Sequence, residues 1–211
     1  MKPLAIDLFC GLGGWTEGLL AEGFDVIGFD IERHQYGELK YPAQLVLQDV
    51  LTLHGSQFKD ASLIVASPPC QAYSYRAMPW KRAKALPPPD NSLFEACFRI
   101  QAEAIEAAGR FIPMVVENVR GAQKWVGASI FKRGSFHFWG DVPALMPTMD
   151  TRKGFRGFKG FKDFHDCEAS RKWSSRDPRR KQWSAQIAKI PLPLSRHIAR
   201  VYFPADFEVS A

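Results

Sequence analysis

Residues 4–14 read LAIDLFCGLGG, an apolar run that leads directly into a glycine-rich turn. The run through Phe9 is typical of a buried strand, and the glycines predict a tight turn that opens a helix at Trp15. Such a turn lets the backbone approach a nucleotide-like ligand closely, although a purely structural turn would need the same glycines. No Gly-Lys-Ser/Thr follows, so the pattern excludes a Walker A phosphate loop.

The rest of the sequence alternates apolar runs with helical patterns. Strand-like runs occupy residues 26–30, 45–50, 62–67 and 111–117, and helical patterns occupy residues 15–22 and 93–109. This alternation predicts an α/β fold with a mostly parallel sheet and helices on both faces. A further stretch, residues 73–91, carries four prolines and several cationic side chains, which predicts a lid, a binding loop or a disordered segment.

Polar residues recur where the predicted strands end. Asp30 ends the second strand, Asp49 lies near the end of the third, and Glu117 and Asn118 follow the last apolar run. The fourth strand is followed by Pro68-Pro69-Cys70. Because ligands of open parallel sheets bind beyond the carboxyl ends of the strands, these side chains are expected to surround one site.

Length and composition restrict the class of protein. A chain of 211 residues with 46% hydrophobic and 24% charged residues predicts one folded, soluble domain. No apolar run approaches the ~18 residues needed to span a bilayer, and residues 1–3 lead into a strand without a signal-peptide pattern. The four cysteines are scattered, without a disulfide framework or metal-ligand spacing. We therefore expect a cytoplasmic protein that binds no metal.

The formal charge of +6 lies in one late segment. Residues 151–182 hold 11 Lys and Arg against 4 Asp and Glu, whereas the other residues hold 17 against 18. A concentrated basic segment favours a polyanion as partner. Apolar residues recur at every third position within it, so packing onto the core is the alternative interpretation.

Cys70 and Glu117 are the candidates for chemistry. A cysteine after a Pro-Pro turn at a strand end is held rigidly beside a cleft, where its thiolate could act as a nucleophile. A buried, inert cysteine is the commoner case for such a residue taken alone. An acid followed by an amide, as in Glu117 and Asn118, could recognise the edge of a nucleobase, and a surface or capping role is the alternative.

The order and spacing of these motifs resemble the DNA (cytosine-5) methyltransferase family. The resemblance rests on FCGLGG, the strand-end acids, PCQ, DNSLF and ENV, and on residues 186–194 ahead of a predicted helix. It implies a Rossmann-like methyltransferase fold and S-adenosylmethionine as cofactor, with S-adenosylhomocysteine as product. The residues implied to contact the cofactor are Phe9, Cys10, Gly11, Leu12, Gly13, Gly14, Asp30, Ile31, Asp49, Val50, Pro69 and Leu93.

The resemblance also implies a catalytic set and a mechanism. Cys70 would add to C6 of cytosine, and Glu117 would protonate or hydrogen-bond N3. Asn118 would hold the loop, Arg133 would orient the base, and the base would be flipped out of the duplex. Three features depart from the family. Its arginine motif is not intact, so that Arg133 stands as the equivalent; Ala188-Lys189 replaces a Gly-Asn; and the target-recognition region is small. The size suggests a compact member of phage or prophage type.

The resemblance divides the chain into a catalytic domain and a DNA-contacting segment. The catalytic domain comprises residues 1–140 and 184–211, and residues 141–183 form a small basic target-recognition segment. A monomer acting on double-stranded DNA is expected. The residues predicted to contact nucleic acid are Gln71, Ser74, Arg76, Lys81, Arg82, Arg179, Arg180 and Lys181. Three alternatives stay open: a tRNA cytosine-5 methyltransferase, a transferase of a modified alkyl group, and a non-catalytic binding protein.

Overall fold

The computed structural model describes residues 2–74, 81, 85–147, 174 and 177–206. A seven-stranded sheet of order β5-β2-β1-β6-β7-β9-β8 forms its centre. The strands are β1 (Leu4–Leu8), β2 (Asp25–Asp30), β5 (Gln44–Leu47), β6 (Leu63–Ala66), β7 (Met114–Val119), β8 (Phe131–Arg133) and β9 (Phe136–Gly140). A separate two-stranded hairpin joins β3 (Gln35–Tyr36) to β4 (Leu39–Lys40).

Five neighbouring strands are parallel, and the strand order reverses at β1. Parallel pairing joins β5 to β2, β2 to β1, β1 to β6 and β6 to β7. β9 is antiparallel to β7 and to β8. The switch point of the sheet therefore lies between β1 and β6, where α/β folds bind their ligands. This architecture confirms the predicted Rossmann-like α/β fold.

Helices cover both faces of the sheet. They are α1 (Gly14–Ala21), α2 (Ser92–Ala108), α3 (Gln123–Val126), α4 (Pro178–Ile187) and α5 (Leu192–Val201). The apolar stripe of α2 packs with one side of β1, β6 and β7 in the larger core cluster. α1 and α5 pack together on the opposite face, against Phe138 and its neighbours. No helix in the described ranges is long and apolar enough to cross a membrane.

The predicted strands are present, with shifted ends. The third run, residues 45–50, forms strand only to Leu47, and Val50 begins a 3₁₀ helix instead. The last run begins at Met114 rather than Phe111, whose side chain is 61% exposed, and it continues through Val119. The hairpin of β8 and β9 was not predicted, because its short strands follow a turn without a strong alternating pattern.

The structure describes the two ends of the predicted recognition segment, residues 141–183, and both ends adjoin elements outside that segment. α4 begins at Pro178, so a single helix runs across the predicted boundary at 183/184. Val142 and Met146 pack on the hydrophobic core, and the His197 ring is 2.7 Å from the Leu145 carbonyl. Residues 141–147 thus pack as part of the core, whereas residues 148–173, most of the predicted recognition segment, lie outside the described residues.

α1 approaches α5 closely because glycines form its contact surface. A Cβ atom built on Gly18 would lie 2.3 Å from the Ser195 hydroxyl and 2.6 Å from the Arg196 amide nitrogen. A Cβ on Gly14 would lie 2.4 Å from the Ile190 amide nitrogen. Both contacts are far shorter than van der Waals distance, so only glycine permits this packing.

Gly18→Ala is expected to destabilise the protein by roughly 1–3 kcal/mol, the usual cost of overpacking. The added methyl group would force α1 and α5 apart, which outweighs the gain of about 1 kcal/mol in helix propensity. Urea denaturation measures the change. Leu20→Ala, at a 39% exposed position of the same helix, is the control and should change stability by much less. A Gly18→Ala variant as stable as the parent would contradict this packing.

Candidate active site

Three chain segments meet at the switch point of the sheet. The glycine turn, residues 9–14, follows β1, and the segment Ser67-Pro68-Pro69-Cys70 follows β6. Glu117 and Asn118 lie near the C-terminal end of β7, which pairs with β6. The three segments thus follow or end neighbouring parallel strands of the sheet, β1, β6 and β7.

Glycine is required at different positions of the turn for different physical reasons. Gly11 has φ +50°, and a Cβ there would have no atom within 4 Å, so its surface is open. A Cβ on Gly13 would lie 2.6 Å from the Pro42 ring, and Gly14 abuts Ile190. Of the three glycines of this turn, Gly11 is the one with open backbone surface that a ligand could approach, whereas Gly13 and Gly14 serve packing.

Asp30, at the end of the neighbouring strand β2, forms a hydrogen bond with the glycine turn. Its Oδ2 accepts a hydrogen bond from the Gly11 amide at 2.9 Å, and His34 Nε2 lies 3.6 Å from Oδ1. Burial raises the pKa of Asp30, but hydrogen bonds from His34 and from backbone amides more than offset it and lower the pKa below its ordinary value. Asp30 is therefore an ionised carboxylate next to Gly11.

The other predicted cofactor residues divide into exposed and buried groups. Ile31, beside Asp30, is 72% exposed and free to cover a flat ligand. Asp49 accepts a hydrogen bond from the Leu51 amide at 2.9 Å and so caps a 3₁₀ helix. Val50 is part of the larger core cluster, so its side chain packs internally. The remaining turn residues, Phe9, Cys10 and Leu12, are half-buried or buried.

The loop that carries Cys70 is folded into a tight turn. The amides of Tyr73 and Ser74 both donate to the Cys70 carbonyl at 2.9 Å. Tyr73 is buried, and its hydroxyl donates to Asn91 Oδ1 at 2.9 Å. A Cβ on Gly121 would lie 2.2 Å from the Tyr73 carbonyl oxygen, so the loop rests on the segment after β7. The half-buried Cys70 side chain is thus held on a fixed backbone.

Pro69 and Leu93, both predicted to contact the cofactor, line one cleft. Its volume is about 240 Å³, and Tyr73 and Phe94 form part of its apolar wall. Asp90 lies at its rim and accepts a hydrogen bond from the Ser92 amide at 2.8 Å, which fixes the start of α2. The structure therefore brings the PCQ and DNSLF motifs together.

Asn118 fastens the catalytic loop to β7. Its side-chain amide donates to the Pro68 carbonyl at 2.9 Å, and its Oδ1 accepts from the Val119 amide at 2.8 Å. Asn118 is fully buried, so the loss of this hydrogen bond would leave the Pro68 carbonyl unpaired. Its geometry agrees with the predicted role of holding the loop.

Glu117 is buried next to Ser67 and away from charged partners. Ser67 Oγ donates to Glu117 Oε2 at 3.3 Å, and Trp15 Nε1 donates to Ser67 Oγ at 3.0 Å. Burial raises the pKa of Glu117 to about 8, and the Ser67 hydrogen bond offsets only part of that effect. At neutral pH the Glu117 carboxyl is therefore mainly protonated.

A second buried carboxyl lies in β1. The Thr16 hydroxyl donates to Asp7 Oδ2 at 2.6 Å and is 2.7 Å from the Tyr41 hydroxyl. Oδ1 of Asp7 is buried without a hydrogen-bond partner, and burial raises the pKa of Asp7 to about 7. Tyr41 fits because Gly28 lacks a side chain, since a Cβ there would lie 2.3 Å from the phenol ring.

Arg133, predicted as a catalytic residue, has its described contacts away from Glu117. It lies on β8, separated from β7 by β9. Its guanidinium donates to the Pro147 carbonyl at 2.6 Å and lies 6.0 Å from the Phe131 ring. The antiparallel hairpin of β8 and β9, which was not predicted from the sequence, places Arg133 two strands from β7, and its catalytic role stays a prediction.

The segment before α5 packs on the glycine turn, as the resemblance implied. Lys189, where the family has asparagine, forms an ion pair with Glu17 of α1. Ile190 contacts Gly14. The departure from the family pattern is thus accommodated by an ion pair within the protein.

The predicted nucleic-acid contacts lie in separate places. Gln71 and Lys81 are exposed, and Ser74 is half-buried. Arg179, Arg180 and Lys181 form the first turn of α4, where Arg179 pairs with Asp177 at 2.8 Å. Arg76 and Arg82 lie outside the described residues. The structure thus groups Gln71 and Ser74 with Cys70 and places the α4 cations on a different element.

Sequence reasoning missed the residues that support the site. Ser67 belongs to the SPPCQ motif and Trp15 directly follows the glycine turn, yet nothing in either motif shows that the two side chains meet. Asp7 lies in the same strand as the glycine turn, and its burial depends on Thr16 and Tyr41.

Comparison with known proteins identifies similar chains. The model of the C-5 cytosine-specific DNA methylase family matches residues 4–126. An E. coli prophage protein described as a DNA modification methyltransferase is 24% identical, over 60% of this chain and 35% of its own, with a TM-score of 0.41. The S. pombe Dnmt2 methyltransferase is 17% identical over 60% of this chain and 37% of its own, with a TM-score of 0.40.

A third solved structure, the Entamoeba histolytica methyltransferase EhMeth, is 15% identical over 60% of this chain and 41% of its own, with a TM-score of 0.40. The chain thus covers less than half of the length of each of these structures. No curated protein matches it. The family model covers more than half of the chain and includes the glycine turn, Cys70 and Glu117, so the chain belongs to the C-5 cytosine-specific DNA methylase family.

Proposed function

We propose that the protein transfers a methyl group from S-adenosylmethionine to C5 of cytosine in double-stranded DNA. The observation that carries the proposal is the pairing, at adjacent strand ends, of an anchored Cys70 with a Glu117 whose pKa is raised to about 8. A nucleophile and a protonated acid at one site are what addition to an electron-poor ring requires.

The residues at the glycine turn fit the adenosyl part of the cofactor. Gly11 leaves open backbone surface, Asp30 offers an ionised carboxylate for ribose hydroxyls, and the exposed Ile31 can cover the adenine ring. Pro69 and Leu93 line the adjoining cleft. When bound, S-adenosylmethionine supplies the methyl group.

In the proposed reaction Cys70 and Glu117 act on the cytosine ring from one site. The thiolate of Cys70 forms a bond to C6 while Glu117 donates its proton to N3, which neutralises the charge that would develop in the ring. C5 becomes enamine-like and takes the methyl group. Loss of the C5 proton to solvent then expels the thiolate, and the N3 proton returns to Glu117.

The target cytosine must leave the base stack of the duplex for this reaction. A cytosine within the stack cannot bring C6 to Cys70, so we propose that the target nucleotide is flipped out. Gln71 and Ser74, beside Cys70, are positioned to contact it. Cations such as Lys81 and those of the first turn of α4 would contact phosphates, which positions the duplex without reading its sequence.

Trapping with 5-fluorocytosine tests the proposal. The protein, S-adenosylmethionine and duplex DNA containing 5-fluoro-2′-deoxycytidine are expected to give a complex that survives denaturation, because fluorine at C5 blocks the elimination. Electrophoresis and mass spectrometry measure it. Cys70→Ala should give none, whereas Cys97→Ala, at a buried cysteine of α2, is the matched control and should trap normally.

The acceptor is tested in the same assay. A tRNA that contains 5-fluorocytidine takes the place of the duplex in a parallel reaction. An adduct with tRNA alone would overturn DNA as the substrate and retain cytosine-C5 chemistry. No adduct with either acceptor, alongside measurable cofactor binding, would contradict catalysis and favour a binding protein.

The single-turnover rate should fall as the pH rises above about 8. Burial raises the pKa of Glu117 to about 8, so the carboxyl keeps its proton below that pH and loses it above. Glu117→Gln should lower the rate on the order of 10²–10⁴-fold, the usual contribution of a positioned acid. A rate that stays constant from pH 7 to pH 9.5 would argue against a protonated Glu117.

A further inference from the structure

A hydrogen-bond chain runs from Trp15 through Ser67 to Glu117. The indole N–H of Trp15 is a donor and cannot accept, so the Ser67 oxygen, 3.0 Å away, is the acceptor. The Ser67 hydroxyl has a single hydrogen, which it donates to Glu117 Oε2 at 3.3 Å. The indole fixes the direction of the first bond, and with Ser67 as the donor of the second bond the chain points toward Glu117.

This direction decides which oxygen of Glu117 carries the proton. A carboxylic acid has one carbonyl oxygen, the better acceptor, and one hydroxyl oxygen, the donor. Oε2 accepts from Ser67 and therefore takes the carbonyl position, which puts the proton on Oε1. Oε1 pairs with no side chain in the described part of the molecule, and the Glu117 side chain remains 9% exposed. Oε1 is the oxygen left for a ligand.

We propose that Ser67 and Trp15 are positioning residues that keep the Glu117 proton on Oε1, facing the substrate. The inference rests on the proposed function, in which N3 of cytosine receives this proton. Without the Ser67 hydroxyl, either oxygen of Glu117 could carry the proton. A fraction of the protein molecules would then present an acceptor oxygen to N3, which needs a donor.

Among the described residues around Glu117, Ser67 is the one whose side chain forms a hydrogen bond with its carboxyl group. Ser67, which follows β6, donates to Glu117, and Phe138 of β9 lies opposite Glu117 in the strand register. Trp15 of α1 reaches Glu117 through Ser67, and none of the three side chains titrates near neutral pH. Cys70 lies on the loop that follows Ser67. Burial and the Ser67 hydrogen bond are the two causes that act on the Glu117 pKa.

The test compares Ser67→Ala, Trp15→Phe and the double variant with the parent. Trp15→Phe keeps an aromatic ring and removes only the donor. Carbon-13 NMR of labelled glutamate side chains, with Glu117→Gln to assign the signal, measures the Glu117 titration in the free protein, where no substrate is needed. Ser129→Ala is the control, because Ser129 bonds Gln123 and His137 and not Glu117.

Ser67→Ala should raise the midpoint of the Glu117 titration by about half to one pH unit, because a hydrogen bond to the charged form is lost. Trp15→Phe should raise it by less, since it only weakens Ser67 as a donor. The double variant should match Ser67→Ala. Ser129→Ala should leave the midpoint unchanged, and Ser67→Thr, which keeps the hydroxyl, should restore it.

The single-turnover methylation rate gives the second readout. Ser67→Ala is expected to lower the rate below pH 8 by about tenfold, although more Glu117 is protonated. A midpoint that does not move in Ser67→Ala, or a Trp15→Phe effect that persists in the Ser67→Ala background, would overturn the inference. If the midpoint moves as expected but neither fluorocytosine substrate is trapped, the hydrogen-bond chain stands and the proposed function fails.

Discussion

The close contact of α1 with the segment that leads into α5 is the constraint on which the site depends. Gly14 and Gly18 present no side chain at the two closest points of this interface, where Ile190 and Ser195 occupy the space. The contact fixes the axis of α1 relative to the sheet. Because Trp15 lies between these two glycines, its position over the sheet is fixed as well, with its ring 6.0 Å from Phe138.

Because α1 is held in this position, side chains of its first turn form hydrogen bonds that lead to both buried carboxyls, Glu117 and Asp7. Trp15 contacts Glu117 through Ser67, and the next residue, Thr16, donates directly to Asp7. Burial raises the pKa of each carboxyl, to about 8 and about 7. Carboxyls with raised pKa values therefore lie on either side of the switch point, while the pKa of Asp30 is lowered by hydrogen bonds from His34 and from the Gly11 amide, so that it stays ionised. One fold thus holds a neutral acid and a carboxylate for different tasks.

Much of the site could be predicted from local sequence. The strand ends, the Cys70 loop and Glu117 follow from apolar runs and turn residues that are close together in the chain. The roles of Gly13, Gly14 and Gly18 could not be predicted, because Pro42, Ile190 and Ser195 meet them only after folding. The same holds for the bond between Trp15 and Ser67, which are 52 residues apart. The hairpin of β8 and β9 that carries Arg133 could not be predicted either, because its short strands leave no strong local signal.

The claim at the centre of the account is that Glu117 is neutral in the folded protein at neutral pH. The most direct measurement is the unfolding free energy of the parent and of Glu117→Gln as a function of pH. An unfolded Glu117 titrates at 4.5 and the folded one at about 8. Within that window folding holds one more proton in the parent, so its stability relative to Glu117→Gln should fall by about 1.4 kcal/mol per pH unit and level off above pH 8. A difference that stays constant across this window would contradict the account.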